Sequence, residues 1–222
     1  AWDGKRYSNT WSLLNDFGWR GLLIEANEAK FSELKAEYAG HDGVELRNTM
    51  VGLKGEQSLD ALLAGADAPQ DLDLLSIDVD GMDWHIWASL TKFRPRLILV
   101  EFNPTVPNDV VFVQDDDPSV NQGASLLALV ELGKSKGYEL VATTECNAFF
   151  VDRTFFPEFK ISDNDIDAMH DPSAYETRLF QCYDGTLLVA GCQRLLWSDV
   201  VFAQQDIQVL PASLRKFEEP AT

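Results

Sequence analysis

Short, mostly apolar runs, each with an acidic residue at or near its end, alternate with amphipathic helical stretches along the first two thirds of this chain. The clearest runs are residues 21–25, 72–78 and 96–102. An unbroken apolar run of about five residues is typical of a strand that is buried on both faces, as in a parallel sheet covered by helices. The alternation therefore predicts an α/β fold with a mostly parallel sheet.

The pattern changes after residue 152. We predict one domain over residues 1–152 and a C-terminal extension over residues 153–222 that packs on it, because about 70 residues with few aliphatic side chains make a marginal core. Within the extension, Asp184 and Gly185 separate two strand-like runs, which is the pattern of a β-hairpin. The polar connection at residues 103–123 is too long for an ordinary turn between a strand and a helix, and we interpret it as a lid.

The charge balance and the cysteines restrict the partners and the location of the protein. The chain has 36 acidic and 18 basic residues and a formal net charge of −18, which repels phosphate and predicts that neither nucleic acid nor an anionic membrane is a partner. No apolar run approaches the roughly 20 residues needed to cross a bilayer. Three cysteines without CxxC spacing fit reduced thiols. We therefore expect a cytoplasmic protein, and the sequence does not indicate its oligomeric state.

The residues after each apolar run are candidates for a binding site, because ligands of an open parallel sheet bind beyond the carboxyl ends of its strands. These segments, with the turn ahead of the first helix, are residues 2–4, 25–27, 48–50, 78–81 and 101–103. Glu25 is the residue type that binds both ribose hydroxyls of an adenosine-containing cofactor, although a solvated acid that caps the next helix gives the same pattern. Asp3 and Gly4 form a turn whose N–H groups suit a carboxylate or phosphate, or a turn with no ligand. The absence of GxGxxG and of a P-loop counts against a dinucleotide pyrophosphate and against a P-loop nucleotidase.

Asp78 and Asp80 lie two residues apart at the end of an apolar strand, where carboxylates are costly unless they are paired, hydrated or bound to a metal. In one interpretation Asp78 faces a cofactor and Asp80 faces a substrate. In a second, both bind a divalent cation with Glu101 and Asn103 as further oxygen ligands. A third is the DxDG nucleophile motif of haloacid-dehalogenase-like phosphatases, whose other strand-end residues are not identifiable in this sequence.

Several segments in a fixed order resemble one known family. They are Ala1-Trp-Asp-Gly4, Ser8-Asn-Thr10, residues 18–26, Leu75-Ser-Ile-Asp-Val-Asp-Gly81 and residues 95–101. Together they resemble the FkbM-type S-adenosylmethionine-dependent methyltransferases over about residues 1–152. The resemblance implies a Rossmann-like methyltransferase sheet followed by the hairpin-containing extension, with S-adenosylmethionine as cofactor. It also implies O-methylation of a small-molecule or sugar-like acceptor.

The resemblance assigns roles to single residues. Glu25 is expected to bind the ribose, and Asp78 is expected to lie near the methionine part or the methyl group. The predicted cofactor-binding residues are Trp2, Asp3, Gly4, Ser8, Asn9, Glu25, Ala26, Asn27, Asn48, Met50 and Asp78. Asp80 and His85 are the predicted catalytic bases. The near-neutral titration of a histidine suits that task, although packing among the neighbouring aromatic residues explains His85 equally well.

Two features depart from the pattern of the family. The family's first strand and the start of its glycine turn would precede Ala1, so we expect an additional strand between the strands that end at Glu25 and Asp78, from upstream or from another chain. Asp80 stands where many members carry Glu, which keeps the charge and shortens the side chain. Two other functions stay open. One is a divalent-metal-dependent hydrolase that uses Asp78 and Asp80, and the other is an inactive methyltransferase fold that serves as an interaction module.

Overall fold

The computed structural model describes residues 1–217. The α-helices of this part are α1 (Trp11–Asn15), α2 (Glu28–Glu37), α3 (Leu59–Ala64), α4 (Asp83–Ser89), α5 (Leu126–Lys136) and α6 (Ile166–Met169). The strands are β1 (Gly21–Glu25), β2 (Val44–Asn48), β3 (Leu74–Ile77), β4 (Leu97–Glu101), β5 (Tyr138–Thr143), β6 (Asn147–Asp152), β7 (Thr177–Gln181), β8 (Leu187–Gly191), β9 (Arg194–Leu195) and β10 (Val200–Val201). Short 3₁₀ helices lie at Gly55–Gln57, Phe156–Phe159, Pro172–Ala174, Leu196–Ser198, Gln204–Ile207 and Ala212–Leu214.

Polar side chains fix where the longer helices begin. Asn27, Ser58 and Ser125 precede α2, α3 and α5, and each accepts a hydrogen bond from the backbone N–H three residues further on. Such a cap satisfies one of the N–H groups that the first turn of a helix leaves without a partner. α5 ends at Lys136 and is capped by Gly137, whose φ of 81° is readily adopted by glycine.

The strands form four small sheets. The largest has the order β3-β4-β6-β5, in which β3 and β4 are parallel and the other two pairs are antiparallel. β1 and β2 form a separate parallel pair, whereas β7–β8 and β9–β10 are antiparallel pairs. The prediction of a mostly parallel, Rossmann-like methyltransferase sheet is therefore wrong.

The physical reason lies in the connections between strands. A parallel pair requires a crossover of about a dozen residues or more, whereas residues 144–146 join β5 directly to β6 and form an antiparallel hairpin. β6 then pairs antiparallel with β4 along its other edge. An apolar run shows that a strand is buried, but it does not show which strand lies beside it. β1, which ends at Glu25, and β3, which is followed by Asp78, lie in different sheets.

Most buried apolar side chains lie around the four-stranded sheet and helices α4 and α5. Trp87 of α4 is 1% exposed, and its ring centroid lies 4.9 Å from that of Phe150 in β6. A smaller cluster around Leu34 packs α1 and α2 against β1 and β2. Leu22 of β1 packs against the larger cluster, so the two parallel pairs belong to one packed body.

Residues 177–201 form two short antiparallel pairs, β7–β8 and β9–β10. The β7–β8 hairpin confirms the prediction at Asp184 and Gly185, and Gly185 has a φ of 82°. Arg178 of β7 forms a salt bridge of 3.4 Å with Asp109 in the 103–123 connection. The division into a domain and an extension at residue 152 stays a prediction. All three cysteines are free, and within residues 1–217 no helix has the length and apolar character to span a bilayer.

Candidate functional site

The loop between β3 and α4 is held by a buried carboxylate. The two oxygens of Asp83 accept hydrogen bonds of 3.0 Å from the N–H groups of Val79 and Gly81. Asp83 is 1% exposed, and this burial raises the pKa of its carboxyl group to about 6, although the hydrogen bonds oppose the increase. The loop therefore has a defined shape, which presents Asp78 and Asp80 from a fixed backbone.

Three carboxyl groups meet beyond the ends of β3 and β4. One oxygen from each of Asp78, Asp80 and Glu101 lies within 4.8 Å of the others. The parallel register pairs Ile77 with Val100, so the residues that follow on the two strands are neighbours. This closeness was expected for Asp78, Asp80 and Glu101 from their positions after the apolar runs.

The environment of Asp78 and Glu101 opposes the ionisation of these two carboxyl groups. Burial and the negative charge of Asp78 raise the pKa of Glu101 to about 8. Asp78 is reached by solvent, yet partial desolvation and the charge of Asp80 raise its pKa. Among residues 1–217 no lysine or arginine forms a salt bridge with any of the three. Asn9 donates a hydrogen bond of 3.4 Å to Asp78.

Glu25 holds the N-terminal turn against β1. One of its oxygens accepts hydrogen bonds from the Ala1 ammonium group at 3.1 Å and from the Trp2 N–H at 2.6 Å, and the other accepts from the Asn27 N–H at 2.8 Å. Burial favours the neutral carboxyl group, but these hydrogen bonds and the Ala1 charge outweigh it and lower the pKa of Glu25. Asn48 extends the group by donating to the carbonyl oxygens of Glu25 and Ala26.

The other predicted cofactor residues of the N-terminal segment serve local contacts. Asp3 accepts hydrogen bonds from the N–H groups of Lys5 and Arg6, which lower its pKa. Gly4 packs on α2, where a Cβ atom would lie 2.4 Å from a methyl group of Leu34. The Ser8 hydroxyl accepts a hydrogen bond from the Thr10 N–H, and the Trp2 ring lies 4.6 Å from the Lys30 ammonium group. Met50, the predicted cofactor residue that follows β2, is exposed to solvent.

His85 forms its hydrogen bond with the 103–123 connection and not with the carboxyl cluster. Its Nε2 is 2.8 Å from the backbone oxygen of Gln114, so this nitrogen donates to the 103–123 connection. The side-chain oxygen of Gln114 in turn accepts from the N–H groups of Gln122 and Gly123. Asn103 is also used within this segment, because its amide oxygen accepts from the N–H and the hydroxyl of Thr105. The predicted lid is thus fastened to α4.

The structure brings the predicted residues together in two groups. Trp2, Glu25, Ala26, Asn27 and Asn48 form a hydrogen-bonded group at the ends of β1 and β2, and Asn9, Asp78, Asp80 and Glu101 form a second at the ends of β3 and β4. Sequence reasoning missed Asp83 and Gln114. No protein-family profile, curated protein or solved structure matches the chain.

Proposed function

We propose that this chain is an S-adenosylmethionine-dependent methyltransferase that acts on an oxygen atom of a small-molecule or sugar-like acceptor. The observation that carries the proposal is the cluster of Asp78, Asp80 and Glu101, in which the pKa values of Asp78 and Glu101 are raised and no lysine or arginine within residues 1–217 forms a salt bridge with any of the three, so that a positively charged ligand is favoured. The sulfonium and α-ammonium groups of S-adenosylmethionine provide such charges. The proposal depends on this site and on the sequence resemblance, and the sheet topology does not support it.

The residues present fit the cofactor in part. Asp78 and Asn9 lie at the carboxyl cluster and suit the charged methionine part. Glu25 already accepts three hydrogen bonds, and a carboxylate has about four acceptor sites, so one ribose hydroxyl fits at the oxygen that receives only the Asn27 N–H. When bound, this cofactor supplies an electrophilic methyl group on a sulfonium sulfur.

The residues of the chain position the acceptor and remove its proton. Asp80 is exposed at the cluster, so it can reach an acceptor hydroxyl from solvent and take its proton as a general base. Asp83 holds the loop that carries Asp80, and a fixed geometry between base and acceptor lowers the barrier to transfer. His85 can act only through Nδ1, because its Nε2 donates to Gln114.

Calorimetry with two related compounds tests the proposal. S-adenosylhomocysteine lacks the sulfonium charge, so the wild-type protein should bind S-adenosylmethionine more tightly. Asp78→Asn should weaken binding of S-adenosylmethionine by tenfold or more, since a contact to a charged group contributes about 1.5 to 3 kcal/mol, and should weaken S-adenosylhomocysteine less. Asp42→Asn, an exposed acid far from the cluster in sequence, is the matched control and should change neither affinity. If the folded wild-type protein binds neither compound, the methyltransferase proposal is wrong.

The same cluster supports a second candidate, a divalent-metal-dependent hydrolase. Three carboxylate oxygens within 4.8 Å of one another form an all-oxygen set of the kind that Mg²⁺, Mn²⁺ and Ca²⁺ use. Asn103 is not part of this set, because its amide oxygen already accepts two hydrogen bonds from Thr105. Titration with Mg²⁺ and Mn²⁺ in the same calorimetric series separates the candidates. Metal binding that Asp80→Asn abolishes, without binding of either nucleoside compound, favours the hydrolase.

A further inference from the structure

The hairpin of β7 and β8 exposes large apolar side chains to solvent. Leu179 is 59% exposed, and Phe180 and Leu188, which face each other across the two strands, are 51% and 39% exposed. None of the fully buried apolar side chains belongs to residues 177–217. An isolated pair of strands is only marginally stable in water, and three or more strands with a covered apolar face are needed for independent stability.

The outer edge of β7 is open. The hydrogen bonds from Cys192 N–H to Glu176 O and from Cys182 N–H to Thr186 O fix the register of the hairpin. In this register the N–H and C=O groups of Leu179 point away from β8, and they have no hydrogen-bond partner among residues 1–217. The outer edge of β8 differs, because the side chain of Gln208 bonds both the N–H and the C=O of Leu187.

β7 also lacks the features that usually protect an edge strand. It has no proline, lysine or bulge. Its one charged side chain, Arg178, is paired with Glu176 and Asp109. An unprotected edge of this kind is a template for another strand.

The distribution of charge along the chain indicates which partner can supply a strand to the edge of β7. Residues 1–176 carry 31 acidic and 14 basic side chains, whereas residues 177–217 carry three acidic and four basic ones. A two-fold interface brings the same surface patch of two molecules together. Two copies of a strongly charged patch therefore repel each other. The segment 177–217 is nearly neutral, and two copies of this acidic chain can meet there without such repulsion.

We propose that the outer edge of β7 pairs with the same edge in a second copy of this chain. The two strands run antiparallel about a two-fold axis at Leu179, so that Leu179 of each copy exchanges N–H···O=C hydrogen bonds with the other. The pairing converts two separate hairpins into one four-stranded sheet in the order β8-β7-β7-β8. The two Leu179 side chains then lie side by side on the same face of that sheet.

Sedimentation of wild type and of two charged variants tests this pairing. The wild-type chain should change from 24.8 kDa to twice that mass over the micromolar range. Leu179→Lys and Leu179→Glu should each remain monomeric, because like charges then face each other across the two-fold axis. An equimolar mixture of the two variants should recover the dimer, because Lys and Glu then lie opposite each other. This recovery is specific to contact between the two copies of residue 179.

Val209→Lys is the matched control, since Val209 is 82% exposed in the same segment but lies outside β7. This variant should dimerise as the wild type does. A wild-type chain that stays monomeric overturns the proposal, and so does a mixture of the two Leu179 variants that stays monomeric. Loss of the dimer in Val209→Lys with retention in both Leu179 variants would place the interface elsewhere and contradict pairing through β7.

Discussion

Gly81 and Asp83 determine the path of the chain that presents the acidic residues. Gly81 has a φ of 132°, and a Cβ atom there would lie 2.6 Å from the side-chain oxygen of Gln114 and 2.8 Å from the backbone oxygen of Val120. Asp83 closes the same loop from within by accepting from the Val79 and Gly81 N–H groups. The position of Asp80 therefore depends on residues that carry no reacting group.

Gly81→Ala should lower the free energy of unfolding by about 3 kcal/mol. Part of the loss comes from the positive φ, and part comes from the displacement of Gln114 and Val120 by the new methyl group. Gly18→Ala is the control, because Gly18 also has a positive φ of 66° but a methyl group added there would meet no atom within 4 Å. Urea denaturation should give a loss of about 1 kcal/mol for this variant. Equal losses for the two variants would show that the contacts at Gly81 contribute nothing.

The sequence indicated part of this site at the level of residues. Asp78, Asp80 and Glu101 were predictable because each follows an apolar run, and they do lie together. Asp83 was missed because it is the third acid of a short acidic segment, and its burial depends on how the loop folds back. Its position in the first turn of α4 was the one available signal. The three hydrogen bonds of Glu25 depend on the fold of the N-terminal turn, which spacing alone does not show.

At the scale of elements, Ser125 joins α5 to the 103–123 connection. Its hydroxyl accepts from the N–H of Ala128 in the first turn of α5 and from the N–H of Phe112 in the connection. Ser125 is 0% exposed, so water cannot replace it as an acceptor. One buried side chain thus satisfies backbone groups of two segments.

Ser125→Ala should lower the free energy of unfolding by about 2 kcal/mol, because two backbone N–H groups lose their acceptor in a buried place. Ser58→Ala is the matched control. Ser58 caps α3 by accepting from the Ala61 N–H, and its loss should cost about 1 kcal/mol. Thermal or urea denaturation compares the two. A smaller loss for Ser125→Ala than for Ser58→Ala would contradict the double role of Ser125.

The strands show where sequence reasoning about elements succeeds and fails. The apolar run at residues 21–25 is strand β1 with the predicted bounds, and the run at residues 96–102 contains β4. The pairing of β6 with β4 was not predictable, because it joins distant parts of the chain, whereas the pairing of β6 with β5 follows from the short connection between them. The resemblance implied a mostly parallel sheet, whereas the short connection between β5 and β6 makes this pair of strands antiparallel.

At the scale of the whole molecule, grouped acids make stability depend on pH. Burial raises the pKa of Glu101 to about 8 and that of Asp83 to about 6, from ordinary values of 4.5 and 3.8. An acid with a higher pKa in the folded state binds its proton more tightly there, so the bound proton favours folding. The stabilisation is complete below the unfolded pKa values and is lost as the pH rises through about 6 for Asp83 and about 8 for Glu101.

The free energy of unfolding should therefore fall between about pH 5 and pH 9, and Glu101→Gln should remove the upper part of that decrease. The neutral amide resembles the protonated acid, so the variant should match the wild type near the lower end. Near the upper end it should be more stable by roughly 2 kcal/mol, a value reduced for partial solvent screening. Glu131→Gln removes the same charge from an exposed position of α5 and should leave the slope unchanged. If urea denaturation across this range gives the same flattening for both variants, the total charge of the chain and not the site of Glu101 sets the pH dependence.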